Sequence, residues 1–233
     1  MTPPRLLLAA FGLALAGDLG SLLAGFTPGH LVFKPLLMPL LAGYAVLAWR
    51  AGGDGSAAGR RAGVPGLLLA ALIFGWGGDT LLLFDAELAF LGGMASFAFG
   101  HVCYLTLFAR YGTARAHTVP LGIGYAVALA GTVALLWPDL PADLRIPVAG
   151  YSLLLTAMAF RSVRLGLAAG VGGALFLLSD TLIATGVAEW PQLPRPDFWI
   201  MLTYAVAQFL LTRGALTARP VPTAVPEAAR TSA

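Results

Sequence analysis

The sequence predicts an all-α, polytopic membrane bundle of about eight transmembrane helices, and three observations predict it. Of the 233 residues, 58% are hydrophobic and 11% are charged, about half the charged fraction of an ordinary soluble domain. Apolar runs such as Arg5–Leu23, Val64–Phe84, Leu88–Ala109 and Arg164–Glu189 reach or exceed the roughly 20 residues that cross a hydrocarbon core. The connections between runs are short, so residues 1–216 read as one transmembrane domain. The Pro-, Ala- and Thr-rich stretch 217–233 reads as a disordered cytoplasmic tail.

Taken in order, the apolar runs between polar or Pro/Gly breaks place spans at 5–24, 30–50, 65–84, 88–109, 118–137, 145–162, 166–187 and 198–216. The first follows Arg5 and contains Ala14-Leu15-Ala16, which resembles a signal-peptide cleavage site. An uncleaved helix is the reading adopted, because the apolar run resumes through Leu19–Phe26 and an even helix count suits the charges. With the N-terminus inside, Arg5, Arg50, Arg60, Arg61, Arg110, Arg115, Arg161, Arg164, Arg213, Arg219 and Arg230 are all cytoplasmic. Of the 14 basic residues, Lys34, Arg145 and Arg195 are left towards the outside. That bias predicts both termini in the cytoplasm, and a multi-pass protein of a cell membrane, on composition a bacterial inner membrane.

The net charge of +3 therefore sets topology, and no nucleic acid partner is expected. The single cysteine, Cys103, reads as core packing. His30 and His117 sit at span edges and receive no role. There is no CxxC, HExxH, Walker or GxSxG pattern, and neither a metal nor a cofactor is expected. One weak internal repeat is visible, Asp79-Thr80-Leu81-Leu82 in the third span against Asp180-Thr181-Leu182-Ile183 in the seventh. A four-span offset would relate two four-helix halves in parallel.

An ionisable side chain at membrane depth is costly, about 2.5–3.5 kcal/mol on insertion scales, so those that remain usually find partners and mark function. Here they are Asp18, Lys34, Asp79, His101 and Asp180. At 1.5 Å per residue, Asp79 lies about six residues below the outer end of its span, Asp180 about seven and Lys34 about four. His101 and Tyr104 are i, i+3, and Tyr204 and Gln208 are i, i+4, so each pair shares a helix face. Gly75, Gly77 and Gly78, and Gly170, Gly172 and Gly173, either pack helices tightly or leave room for a ligand. Blander readings stand beside the functional one. Lys34 can snorkel to the headgroups, either aspartate can be a structural hydrogen-bond partner, His101 can be a satisfied core histidine, and Asp18 reads as structural.

In these residues the chain resembles the YhhN-like membrane proteins, whose characterised members are lysoplasmalogenases. The segments that carry the resemblance are Lys34–Pro39, Phe74–Leu82, Phe97–Tyr104, Gly173–Asp180 and Thr203–Gln208, five in order over most of residues 30–212. Gly77 stands where that family often has Ser, which argues against an essential hydroxyl there. The resemblance implies an eight-helix fold and a hydrolase that splits the vinyl ether of a lysophospholipid within the bilayer. Such a reaction protonates the β-carbon of the alkene, and water then captures the oxocarbenium ion. Burial disfavours an ionised carboxylate, so the expected catalytic groups are Asp79 and Asp180 as an acid/base pair, with His101. Tyr104, Tyr204 and Gln208 are expected to orient water and substrate, and Lys34 to meet the lipid phosphate. The alternative is a transporter or exporter of a small molecule or lipid that uses the same intramembrane carboxylates. Oligomeric state is not legible.

Overall fold

A computed structural model describes residues 2–52, 66–112 and 118–218, and in them all regular structure is helical. The helices are α1 (Pro3–Ala24), α2 (Thr27–Gly52), α3 (Gly66–Leu81), α4 (Glu87–Tyr111), α5 (Thr118–Leu136), α6 (Arg145–Ser162), α7 (Leu167–Val187) and α8 (Pro196–Thr217). A 3₁₀ turn over Val163–Leu165 joins α6 to α7. Seven of the helices are long and apolar enough to cross a membrane. The exception, α3, has 16 residues, or about 24 Å of helix. His117, Arg60, Arg61, Arg115 and the tail beyond residue 218 lie outside the described residues.

The distribution of side chains is that of a protein dissolved in lipid. Leu13 is 74% exposed, Leu88 83% and Leu167 79%, whereas Asp18, Lys34, Asp79, His101 and Gln208 are buried. In a bilayer, apolar residues lose nothing by facing outward, and polar ones must find partners inside. The chain is a multi-pass membrane protein on these grounds.

Neighbouring helices in sequence pack as antiparallel neighbours: α1 on α2, α2 on α3, and α3 on α4. Beyond this, α4 packs on α6, α6 on α7 and α7 on α8, and α8 returns to α1 and α2, closing a ring. Helix α5 stands outside that ring, resting on α6 with a slight contact to α7. The face carrying the α1–α2, α3–α4, α5–α6 and α7–α8 turns is called the upper face below. At the α1–α2 turn Gly25 adopts φ 68°, a left-handed conformation that only glycine enters at no steric cost. Phe26 N–H then donates to Ser21 O at 2.8 Å, which closes the last turn of α1 in the manner of a Schellman motif.

Two prolines in α2 explain one cross-helix bond. Pro39 has no N–H, so the carbonyl of Pro35 lacks its intrahelical donor. The indole N–H of Trp76 on α3 takes that place, donating to Pro35 O at 2.9 Å.

The third span ends earlier than the 65–84 expected. After Leu81 the chain tightens into i→i−3 bonds, Leu83 N–H to Thr80 O and Phe84 N–H to Leu81 O, and Leu82 turns back to pack beside Gly93 of α4. Hydropathy sees an unbroken apolar run there; the backbone does not continue as α-helix. Asp79 consequently sits in the last turn of α3 and not about six residues below its end.

Candidate active site

Two hydrogen-bonded networks occupy the interior. The first is anchored on Asp79, which is 3% exposed. The Tyr204 hydroxyl from α8 donates to Asp79 Oδ2 at 2.8 Å. Gln208 Nε2, one turn further along α8, donates to the Tyr204 oxygen at 3.2 Å, and the Tyr104 hydroxyl from α4 donates to Gln208 Oε1 at 2.6 Å. The bonds all run in one direction, from Tyr104 to the carboxylate. Gly75 makes room for them: a Cβ at that position would lie 3.0 Å from Gln208 Nε2 and 3.2 Å from the Tyr204 oxygen.

The second network is anchored on Asp180 of α7. The Tyr151 hydroxyl from α6 donates to Asp180 Oδ2 in a short hydrogen bond, and His101 Nε2 lies 3.0 Å from the Tyr151 oxygen. Since the single Tyr151 proton goes to the carboxylate, His101 donates from Nε2 in this arrangement, and its Nδ1 has no partner. Glycine again sets the geometry. A Cβ on Gly173 would lie 2.3 Å from Ser162 Oγ and 2.9 Å from Ala159 backbone, and one on Gly172 would lie 2.9 Å from Ala207 O. These two positions press α7 against α6 on one side and α8 on the other, so the small residues pack helices rather than opening a space.

Aromatic rings separate the networks. Phe176 meets His101 edge-to-face at 4.9 Å and Tyr204 at 5.3 Å, and Phe97 meets Phe176 at 6.3 Å and Tyr204 at 5.8 Å. A Cβ on Gly78 would lie 2.5 Å from the Phe97 ring, so that glycine admits the ring against α3.

A cavity of about 290 Å³ opens among α4, α5, α6 and α7, lined by Asp180 and Tyr151 together with Phe97, Leu129, Thr156 and Val187 among other, largely apolar residues. Asp79 is not on its wall. Above it, the Trp190 indole donates to Asp139 Oδ2 at 2.7 Å, which ties the α5–α6 turn to the α7–α8 turn.

The residues expected from sequence are thus divided. Tyr204 and Gln208 share a network, as their i, i+4 spacing suggests. His101 and Tyr104 share a face of α4 but serve different networks. Lys34 is 8% exposed and does not line the cavity. His30, to which the sequence assigns no role, holds Asp18: their Nδ1 and Oδ1 atoms are 2.7 Å apart, with Asp18 fully buried and its Oδ2 without a partner. Tyr151 was missed altogether. Depth was the signal that could have found it, since it lies about as far below the upper end of α6 as Asp180 does below that of α7.

The family model described as YhhN family matches residues 29–215. Among curated proteins the chain is similar to lysoplasmalogenase TMEM86B of Homo sapiens, 38% identical over 158 residues, covering 67% of this chain and 66% of the relative. TMEM86B of Sus scrofa is 37% identical over 135 residues, 58% of this chain and 57% of the relative. Lysoplasmalogenase TMEM86A of Bos taurus is 30% identical over 163 residues, 64% of each. The chain therefore spans 57–66% of the length of these relatives, less than two thirds of each. No solved structure matches it.

Proposed function

The chain belongs to the YhhN family, and we propose that it hydrolyses the vinyl ether bond of a lysoplasmalogen within the bilayer, the activity in the names of its human and porcine relatives. The observation that carries this reading is a carboxyl group, Asp180, held by a tyrosine on the wall of an otherwise largely apolar intramembrane cavity. Such a site suits a long alkenyl chain with one reactive polar bond. Entry is sideways from the lipid: α4 and α5 both wall the cavity, yet they do not pack on one another as the ring helices do.

In this mechanism Asp180 is the general acid. Its proton goes to the β-carbon of the alkene, and the π electrons form the new C–H bond. The positive charge that develops on the adjacent carbon and oxygen faces the ring of Phe97, whose π system attracts a cation. Asp79, behind that ring, adds an ionic field without touching the substrate, and Lys34 supplies the compensating positive charge. Tyr151 and His101 set the orientation of the Asp180 carboxyl. Water then adds to the cation, and the resulting hemiacetal collapses to a fatty aldehyde and a glycerophospho-alcohol. We place the lower face, with both termini, in the cytoplasm of a bacterial inner membrane, as the arginine distribution supports.

The test is a product assay. Purified protein in detergent, given an alkenyl lysophospholipid, should release fatty aldehyde and glycerophospho-alcohol in equal amounts. Detergent abolishes the two compartments on which transport depends, so a transporter would leave the lipid intact.

A further inference from the structure

Two hydroxyls on the α6 wall of the cavity have no part in the mechanism above. Thr156 is 5% exposed, lines the cavity, and its Oγ1 has no hydrogen-bond partner. Other helical threonines of this protein return their hydroxyl to the backbone one turn earlier: Thr80 to Trp76 O at 2.8 Å, Thr106 to Val102 O at 2.8 Å, Thr181 to Leu177 O at 2.7 Å and Thr203 to Trp199 O at 2.7 Å. Thr156 makes no such bond to Ser152 O; Thr212 Oγ1 is also without a partner, but Thr156 is the one of the two that lines the cavity. Ser152 also lines the cavity, and its hydroxyl has no hydrogen-bond partner among the described residues. At i, i+4 spacing the two Cβ atoms are about 5–6 Å apart on one face. Two oxygens that share one tetrahedral water at roughly 2.8 Å from each are about 4.5 Å apart, a separation within reach of hydroxyls carried on those two Cβ atoms. Asp180 lies on the same cavity about two turns from the upper end of its helix, as Ser152 does from the upper end of α6.

We infer that Ser152 and Thr156 hold the water that captures the oxocarbenium ion, an inference that rests on the hydrolase reading and deepens it. A confined water needs two to four polar partners; of the other polar groups on the lining, Tyr151 and Thr181 already donate to Asp180 and to Leu177 O, Thr132 lies across the cavity on α5, and the rest of the wall is apolar. The Ser152 and Thr156 hydroxyls supply two, and Asp180, ionised once it has protonated the alkene, supplies a third. The water oxygen bonds to the cationic carbon as its proton passes to the Asp180 carboxylate, which restores the acid. The hemiacetal hydroxyl proton then moves to the glycerol oxygen as the carbon–oxygen bond to glycerol breaks, so protons and electrons balance with water as the sole co-reactant.

Methanol provides the test. With purified full-length protein in detergent and an alkenyl lysophospholipid, capture by methanol gives a stable mixed acetal and capture by water gives aldehyde. Their ratio is set after the cation has formed, so it does not depend on the fraction of protein folded or on lipid affinity. Thr156→Val, which keeps the side-chain shape, should slow aldehyde release by about ten-fold, in keeping with one lost hydrogen bond. It should also raise the acetal-to-aldehyde ratio several-fold, and Thr156→Ser should restore both. Ser152→Ala should raise the ratio in the same direction. An unchanged ratio in both Thr156→Val and Ser152→Ala, whatever the rate, overturns the water site while leaving the hydrolase reading intact. Absence of any aldehyde from the wild-type protein overturns the hydrolase reading and the water site together.

Discussion

The two halves of the polar interior differ in how completely their groups are satisfied. Around Asp79, Tyr204, Gln208 and Tyr104 form a directed chain of hydrogen bonds from three helices, and none of these residues lines the cavity. Around Asp180, the carboxyl and Tyr151 border a cavity, His101 Nδ1 and Thr156 Oγ1 lack partners, and the outer wall is the loosely attached α5. A polar network in which each side chain is bonded to the next is rigid and favours one arrangement. Buried groups left open cost free energy and are retained where a ligand or water completes them. In the proposed hydrolase the Asp79 side fits a supporting role and the Asp180 side the chemistry.

The sharpest way to break that assignment is to neutralise each carboxylate in turn. Asp180→Asn should lower aldehyde release by about 10⁴-fold, the upper range for a lost general acid, with the protein still folded by size-exclusion chromatography. Asp79→Asn should cost about 10²-fold, because it removes a field and not a proton donor. Equal losses would erase the distinction. Next in size, Tyr151→Phe should lower kcat by about 10²-fold with KM little changed, since the lost bond orients the acid and does not hold the lipid.

Stability should show the reverse order. Tyr204→Phe leaves Asp79 buried without its donor, at a cost of about 1–3 kcal/mol, and should lower the thermal midpoint in detergent more than Tyr151→Phe does. The smallest effect is expected from Lys34→Ala. Because Lys34 is buried away from the cavity and, in the proposed mechanism, balances the charge of Asp79, kcat should fall by several-fold with KM nearly constant; a raised KM at constant kcat would return Lys34 to the lipid phosphate.

The sequence by itself determined the class of protein, the helix order and which polar side chains the interior would have to accommodate, and the reason is the solvent. In hydrocarbon a polar side chain is rare enough to be conspicuous, so Asp79, Asp180, His101, Tyr204 and Gln208 are legible from hydropathy and helical spacing alone. Pairing across helices was not legible. Nothing in local spacing tells Asp79 to meet Tyr204 from α8, or separates His101 from Tyr104, because those partners are chosen by how helices rotate and by where glycines let them close, as at Gly75 and Gly173. Tyr151 escaped for the same reason: an aromatic residue in an apolar run is ordinary until a carboxylate is found against it. The end of α3 was misjudged because hydropathy measures transfer from water and does not sense a backbone that tightens after Leu81. Only the packed structure decided that Asp180 borders a cavity and Asp79 does not, although each accepts from a tyrosine, since both lie in the same short motif and differ in what the other helices place before them.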